Sequence, residues 1–129
     1  MAFREPYGVV VVKYEEGVQP GVSRCALKHR WPVWDARSNQ SMTRQVFALR
    51  PRVLVLQVPH ALGPVVEFLD RIRRHWSPVP VLAIASDHSA ETEARMRQAG
   101  ATCLLGPEAG QAEIEETLAS LAPGSIVAA

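Results

Sequence analysis

The run Val-Leu-Val-Leu-Gln-Val-Pro at residues 53–59 constrains the fold of this chain more than any other segment. Its valine and leucine content, with Pro51 before it and Pro59 at its end, is typical of a β-strand buried on both faces. Such strands lie in the middle of parallel sheets that helices cover on both sides. Its polar member, Gln57, is near the carboxyl end of the strand, where open α/β sheets bind their ligands.

Strand and helix patterns alternate along the rest of the chain. Short apolar runs predict further strands at 9–12, 32–36, 79–85 and 101–105. Apolar spacings of three and four predict five helices. They cover 19–29, the stripe of Met42, Val46 and Leu49, Val65 to Trp76, Ser89 to Ala99, and the stripe of Ile114, Leu118 and Leu121. Ser38 and Asn39 are candidate caps of the second helix, and Ser89 and Gly100 are the predicted cap and end of the fourth. This βα order predicts one α/β domain over residues 1–123 with a parallel sheet and right-handed crossovers, followed by a tail at 124–129.

Charge and cysteine content exclude several classes of function. The 129 residues carry a net charge of only +1, which provides no general attraction for nucleic acid or an anionic membrane. Two cysteines do not form a disulfide framework, so we expect a reducing, cytoplasmic environment. No segment approaches the roughly 18 consecutive apolar residues that a membrane-spanning helix needs.

From residue 50 to residue 121 the chain resembles the receiver domain of bacterial two-component response regulators. Arg52 to Pro59 is similar to the phosphoacceptor strand of that family and the loop after it, and Val79 to Ile84 is similar to its fourth strand. The run Ala99-Gly100-Ala101 with Pro107 resembles its fifth strand and lysine-proline turn. The resemblance implies a flavodoxin-like (βα)5 domain with strand order 2-1-3-4-5.

The resemblance also implies that the positions of phosphotransfer chemistry have been replaced. Gln57 is at the position of the phosphoacceptor aspartate, and an amide is no carboxylate nucleophile. Lys13 and Tyr14 are at the position of the acidic pair that holds Mg²⁺, an ion that prefers oxygen ligands. The degenerate phosphorylation pocket comprises Lys13, Tyr14, Gln57, Ala85, Ser86 and Gly106, where Ala85 or Ser86 replaces the family's hydroxyl residue and Gly106 its lysine. We therefore expect no cofactor, no metal and no catalysis.

Several interpretations of these residues remain open from the sequence. Gln57 either recognises a ligand or hydrogen-bonds to its neighbours, and we expect the Lys13 ammonium to lie beside it at the sheet edge. The candidate ion-pair partners of Lys13 are Glu15, Glu16 and Asp87, and the two glutamates leave a weak cation site open. Residues 86–88 have the composition of a hydrolytic triad, but adjacent residues cannot converge as a triad requires. A further candidate is a transition-metal site formed by His60, His88 and a glutamate.

These observations predict a phosphorylation-independent interaction or regulatory module in bacterial signalling rather than an enzyme. Its expected partner is a protein, including a second copy of itself, and not nucleic acid or a membrane. The resemblance implies an interaction face on helix four, strand five and helix five; it would include Arg95, Arg97, Gln98, Cys103, Glu108, Gln111 and Glu115. The alternative is a sensor of a small anion or nucleotide, with Lys13, Gln57 and Ser86 binding it at the carboxyl edge of the sheet.

Overall fold

A computed structural model describes residues 8–15, 17–36, 42–75 and 79–123 of the chain. Strands β1 (Val9–Lys13), β2 (Val33–Asp35), β3 (Val53–Val58), β4 (Val81–Ala85) and β5 (Cys103–Leu105) form one parallel sheet in the order β2-β1-β3-β4-β5. The helices are α1 (Pro20–His29), α2 (Met42–Leu49), α3 (Gly63–His75), α4 (Ala90–Ala99) and α5 (Gln111–Leu121). This architecture confirms the predicted flavodoxin-like fold.

Strand β3 is the centre of the sheet, paired with β1 on one side and β4 on the other. Its side chains alternate between two cores because successive residues of a strand point to opposite faces. Leu54 and Leu56 belong to the core that α2, α3 and α4 cover, whereas Val53 and Val55 belong to the core under α1 and α5. The predicted burial of this strand on both faces is therefore confirmed.

Helix and strand ends follow local chemistry that the sequence mostly indicates. The Ser89 hydroxyl caps α4 by accepting a hydrogen bond from the Thr92 backbone N–H at 3.1 Å. Gly100 ends that helix with a φ of 114°, a conformation that favours glycine. Strands β2 and β4 begin directly after Pro32 and Pro80, later than predicted, because proline has no N–H to donate to the sheet.

Some predictions fall on residues that the structure does not describe. The helical position of Trp76, the candidate caps Ser38 and Asn39, and the tail at 124–129 lie outside the described residues. Within the described ranges, no helix combines the length and the apolar character that crossing a membrane requires.

Helices α1 and α5 pack side by side and share a set of polar contacts. The Glu115 carboxylate pairs with the His29 imidazole and with Lys28 Nζ, the latter at 3.4 Å. The hydrogen bond from His29 is the main reason that the pKa of Glu115 is lowered, and the nearby Lys28 charge adds to it. The Cys25 thiol donates to the Gln111 carbonyl oxygen at 3.7 Å.

We expect the two thiols of the chain to react very differently with a thiol reagent at neutral pH. Burial, reinforced by the charge of Glu115, raises the pKa of the fully buried Cys25 thiol to about 11, whereas Cys103 is partly exposed. The thiolate is the reactive form, so in the folded protein only Cys103 should react with Ellman's reagent. The unfolded protein should react at both, and Cys103→Ser should abolish the native reaction. Equal rates for both thiols in the folded state would contradict this burial.

Candidate functional site

Gln57, at the carboxyl end of β3, uses both ends of its side-chain amide to hold the loop between β1 and α1. Its Oε1 accepts a hydrogen bond from the Gln19 backbone N–H at 2.7 Å. Its Nε2 donates to the Gly17 carbonyl oxygen at 3.1 Å. The partners are backbone groups, which supports the interpretation that Gln57 hydrogen-bonds to its neighbours.

Gln19 extends this connection to the loop between β5 and α5. Its Nε2 donates to the carbonyl oxygens of Pro107 at 3.0 Å and Ala109 at 2.8 Å. Its Oε1 caps α1 by accepting from the Val22 backbone N–H at 2.8 Å. Gln57 and Gln19, which we call the glutamine bridge, thus join the end of β3 to the β1–α1 and β5–α5 loops.

The first turn of α1 approaches the β5–α5 loop closely enough to require glycine at position 21. A Cβ atom on Gly21 would lie 2.3 Å from the Ala109 carbonyl oxygen and 3.0 Å from Ile114 Cδ1. Backbone therefore packs against backbone at the point where Gln19 makes its hydrogen bonds. The glutamine bridge is part of a tightly packed contact.

The ion pair of Lys13 differs from those that we expected for its ammonium group. It lies in register with Gln57 on β3 and with Asp35 on β2. Its Nζ is 4.0 Å from Asp35 Oδ2, and no hydrogen bond between Lys13 and Gln57 occurs in the described part of the chain. Opposite charges on neighbouring strands attract, while backbone groups already engage the Gln57 amide. None of the predicted ion-pair partners of Lys13 is the one observed.

Tyr14 packs away from Gln57, into the core on the α3 side of the sheet. Its ring meets that of Phe68 edge to face, with the centroids 6.4 Å apart. The hydroxyl is buried and has no hydrogen-bond partner in the described ranges. This burial raises the pKa of Tyr14 well above its ordinary value, although the charge of Arg71 partly opposes the shift.

The remaining residues of the predicted degenerate pocket make local contacts. The Ser86 hydroxyl donates to the Val58 carbonyl oxygen at 3.1 Å, which ties the end of β4 to the end of β3. Ala85 is buried in the core. A Cβ atom on Gly106 would lie 3.0 Å from His88 Nδ1, so the imidazole occupies the space beside this glycine.

A cleft of about 270 Å³ remains at the carboxyl edge of the sheet. It is lined by Glu15, Gly17, Val18, Gln19, Gln57, Ile84, Ala85, Ser86 and Pro107. Glu15 is the one charged side chain among these residues, and Lys13, Tyr14 and Gly106 are not among them. The described lining of the cleft thus offers no cation to an anionic ligand, which weakens the sensor alternative.

The described residues of the cleft do not provide the ligands of a metal ion either. No group of three or more histidine, cysteine, aspartate or glutamate side chains that could hold a metal occurs within the described ranges, and this includes the surroundings of His60 and His88. Mg²⁺ binds through carboxylate and carbonyl oxygens. Near Gln57 the described residues of the cleft supply a single carboxylate, that of Glu15, and an amide oxygen that already accepts a hydrogen bond, while Glu16 lies outside the described residues.

The structure divides the predicted interaction face between two surfaces. Arg95, Arg97, Gln98 and Glu108 are exposed and Cys103 is half-buried, around α4 and β5. Glu115 instead turns toward α1, where Lys28 and His29 contact it, and the Gln111 carbonyl accepts from Cys25. The first group is a mixed polar surface, whereas the second belongs to the contact between α1 and α5.

Gln19 is a residue of the candidate site that the sequence does not predict. Glutamine is not among the preferred N-cap residues, so nothing in its chemistry indicates a cap. Its position directly before Pro20 is the one available signal, because proline favours the first turn of a helix.

Comparisons with known proteins place this chain on the receiver fold. No family model and no curated protein matches the sequence. Among solved structures, the chemotaxis protein CheY4 of Vibrio cholerae is 18% identical with a TM-score of 0.70, covering 91% of this chain and 99% of that chain. The receiver domain of NtrC4 from Aquifex aeolicus is 23% identical with a TM-score of 0.62, covering 88% and 93%. The receiver domain of Ssk1 from Saccharomyces cerevisiae, solved with the histidine phosphotransfer protein Ypd1, is 14% identical with a TM-score of 0.68, covering 95% and 93%.

Proposed function

We propose that this chain is a phosphorylation-independent interaction and regulatory module of bacterial signalling, built on the receiver fold, and not an enzyme. The observation that carries the proposal is the pair of hydrogen bonds that the Gln57 side chain forms with backbone groups. The resemblance of the sequence puts Gln57 at the position of the family's phosphoacceptor carboxylate, and both ends of its amide are engaged by the β1–α1 loop. An amide in this position provides no nucleophile for an acyl phosphate.

The glutamine bridge takes over a connecting role that the family gives to charged groups and a bound cation. Gln57 and Gln19 join the end of β3 and two loops through hydrogen bonds of 2.7 to 3.1 Å to backbone carbonyl and N–H groups. Hydrogen bonds between neutral groups do not depend on a phosphoryl group or a metal. We infer that the loops around the cleft keep one arrangement, so that the module presents a constant surface to its partner.

The surface around α4 and β5 is the proposed contact for a protein partner. Arg95, Arg97 and Gln98 are exposed on α4, and Glu108 is exposed after β5. Arg97 pairs with Glu93 at 2.9 Å, so the surface combines both signs of charge. The Ssk1 receiver domain was solved in complex with a protein partner, which supports a comparable use of this fold here.

The proposal predicts that the protein gains no phosphate from a small-molecule donor. After incubation with acetyl phosphate and Mg²⁺, intact-mass spectrometry should show the unmodified mass, and calorimetry should detect no Mg²⁺ binding. The matched comparison is Lys13→Asp with Gln57→Asp, which supplies two carboxylates on adjacent strands and should begin to restore Mg²⁺ binding. Phosphate on the parent protein, or tight Mg²⁺ binding by it, would overturn the proposal.

A further inference from the structure

Helices α1 and α5 are neighbours on one face of the sheet and carry charges of opposite sign. The α1 sequence, Pro-Gly-Val-Ser-Arg-Cys-Ala-Leu-Lys-His, contains basic residues and no acidic one. The α5 sequence, Gln-Ala-Glu-Ile-Glu-Glu-Thr-Leu-Ala-Ser-Leu, contains acidic residues and no basic one. This segregation leaves one outward-facing helix positive and the next one negative.

Helices α3 and α4 instead pair charges of opposite sign within the same helix. In α3, Arg71 pairs with Glu67 at 3.4 Å, and in α4, Arg97 pairs with Glu93 at 2.9 Å. By contrast, Arg24 on α1 and Glu113 and Glu116 on α5 are exposed and form no ion pair within the described ranges. These charges are available to a partner.

An apolar side chain stands between the charges of α1. Leu27 is 80% exposed on the outer side of the helix, and Leu27 and Lys28 follow Arg24 at spacings of three and four residues. On the outer side of α5, Ala112 and Ala119 lie on either side of Glu116 and leave room for such a side chain. We call Arg24, Leu27 and Lys28 the α1 stripe, and Ala112, Glu113, Glu116 and Ala119 the α5 stripe.

The two stripes are complementary under a two-fold rotation. Both helices return from the carboxyl to the amino edge of a parallel sheet, so they run parallel to each other. A two-fold axis parallel to these helices brings the α1 stripe of each copy against the α5 stripe of the other copy. The rotation leaves the height of every residue along the axis unchanged. Such an isologous contact uses the same surface on both copies.

Contacts within one copy show that the heights match. Lys28 Nζ lies 3.4 Å from Glu115, and Cys25 Sγ lies 3.7 Å from the Gln111 oxygen. Positions 25 and 28 thus lie at about the heights of positions 111 and 115, within side-chain reach. In the rotated pair Lys28 then faces Glu116 of the second copy, and Arg24 comes within side-chain reach of Glu113, since each helical residue rises about 1.5 Å.

We propose that α1 and α5 form a self-complementary interface through which the chain binds a second copy of itself. Helices of 10 and 11 residues provide a small footprint, which belongs to the size class below about 1,200 Å² typical of weak complexes. The dimer is therefore concentration-dependent and weakens as salt screens its exposed charges. It goes beyond the proposed function, because it needs neither the cleft nor the α4–β5 surface.

The test reverses the charges of one stripe at a time. Arg24→Glu with Lys28→Glu makes both helices acidic, and Glu113→Lys with Glu116→Lys makes both basic. Each variant alone should associate at least about tenfold more weakly than the parent in sedimentation equilibrium, because several charge pairs become repulsive at once. An equimolar mixture of the two variants should recover association, since every contact between them again joins opposite charges.

Recovery in the mixture separates this interface from a folding defect, and circular dichroism melts check each variant alone. Arg95→Glu with Arg97→Glu makes the same charge change on α4 and should leave the dimer unchanged. Leu27→Asp, at an exposed position, should weaken it. A monomeric parent at millimolar concentration and low salt, a mixture that does not associate, or a dimer broken by the α4 variant would overturn the proposal.

Discussion

Replacing Leu56 with alanine is expected to lower the free energy of unfolding by about 2–5 kcal/mol. Leu56 is fully buried in the central strand and belongs to the core that α2, α3 and α4 cover. The substitution removes apolar contacts and leaves a cavity, because the close-packed neighbours relax only in part. Such a loss is a large share of a total stability of about 5–15 kcal/mol.

Urea unfolding of Leu56→Ala and Leu27→Ala compares the same chemical change at a buried and at an exposed position. Leu27 is 80% exposed, so its replacement should change the free energy of unfolding by no more than about 0.5 kcal/mol. A loss below about 1 kcal/mol for Leu56→Ala would show that β3 is not the centre of the core. A loss of similar size for both variants would show that truncation acts through the unfolded chain.

The fold was predictable because its strands are marked by composition. A strand buried on both faces appears as a continuous apolar run, and 53–58 is such a run. Ser89 and Gly100 have side-chain and backbone properties that act within a few residues, so the ends of α4 were also predictable. Strand bounds were less accurate, since Pro32 and Pro80 accept a sheet hydrogen bond through their carbonyl oxygens but have no N–H to donate one, and the strands begin after them.

The site was harder to predict because its contacts join distant positions. A strand pattern places Gln57 at a sheet edge, but it does not say which group meets the amide. The partner, the Gln19 backbone N–H, is 38 positions away, and Asp35 rather than a loop glutamate pairs with Lys13. Such choices depend on loop paths that no local periodicity specifies.

The placement of Glu115 and Gln111 could have been found in the sequence. Ile114 and Leu118 are the buried residues of α5, so positions 111 and 115 lie within one helical step of the buried side. That geometry directs them toward a neighbouring helix rather than toward solvent. The outward positions of α5 are instead 112, 113, 116 and 119, all of which are exposed.

Replacing Gly21 with alanine is expected to destabilise the fold by about 1–3 kcal/mol and to loosen the glutamine bridge. The added methyl group would lie 2.3 Å from the Ala109 carbonyl oxygen, a contact that only a shift of α1 or of the β5–α5 loop can relieve. Such a shift lengthens the hydrogen bonds from Gln19 to Pro107 and Ala109. The Gln57 amide, which accepts from the Gln19 N–H, is disturbed in turn.

Urea unfolding measures the loss of stability, and the side-chain amide resonances of Gln19 and Gln57 report on the bridge. Gly63→Ala is the matched control, because a methyl group there meets nothing within 4 Å and Gly63 lies at the start of a helix. It should leave both amide signals in place and change stability by less than about 1 kcal/mol. If Gly21→Ala were as stable as Gly63→Ala with unshifted amides, the close contact between α1 and the β5–α5 loop would be wrong. The constant arrangement inferred for the cleft would then lose its structural basis.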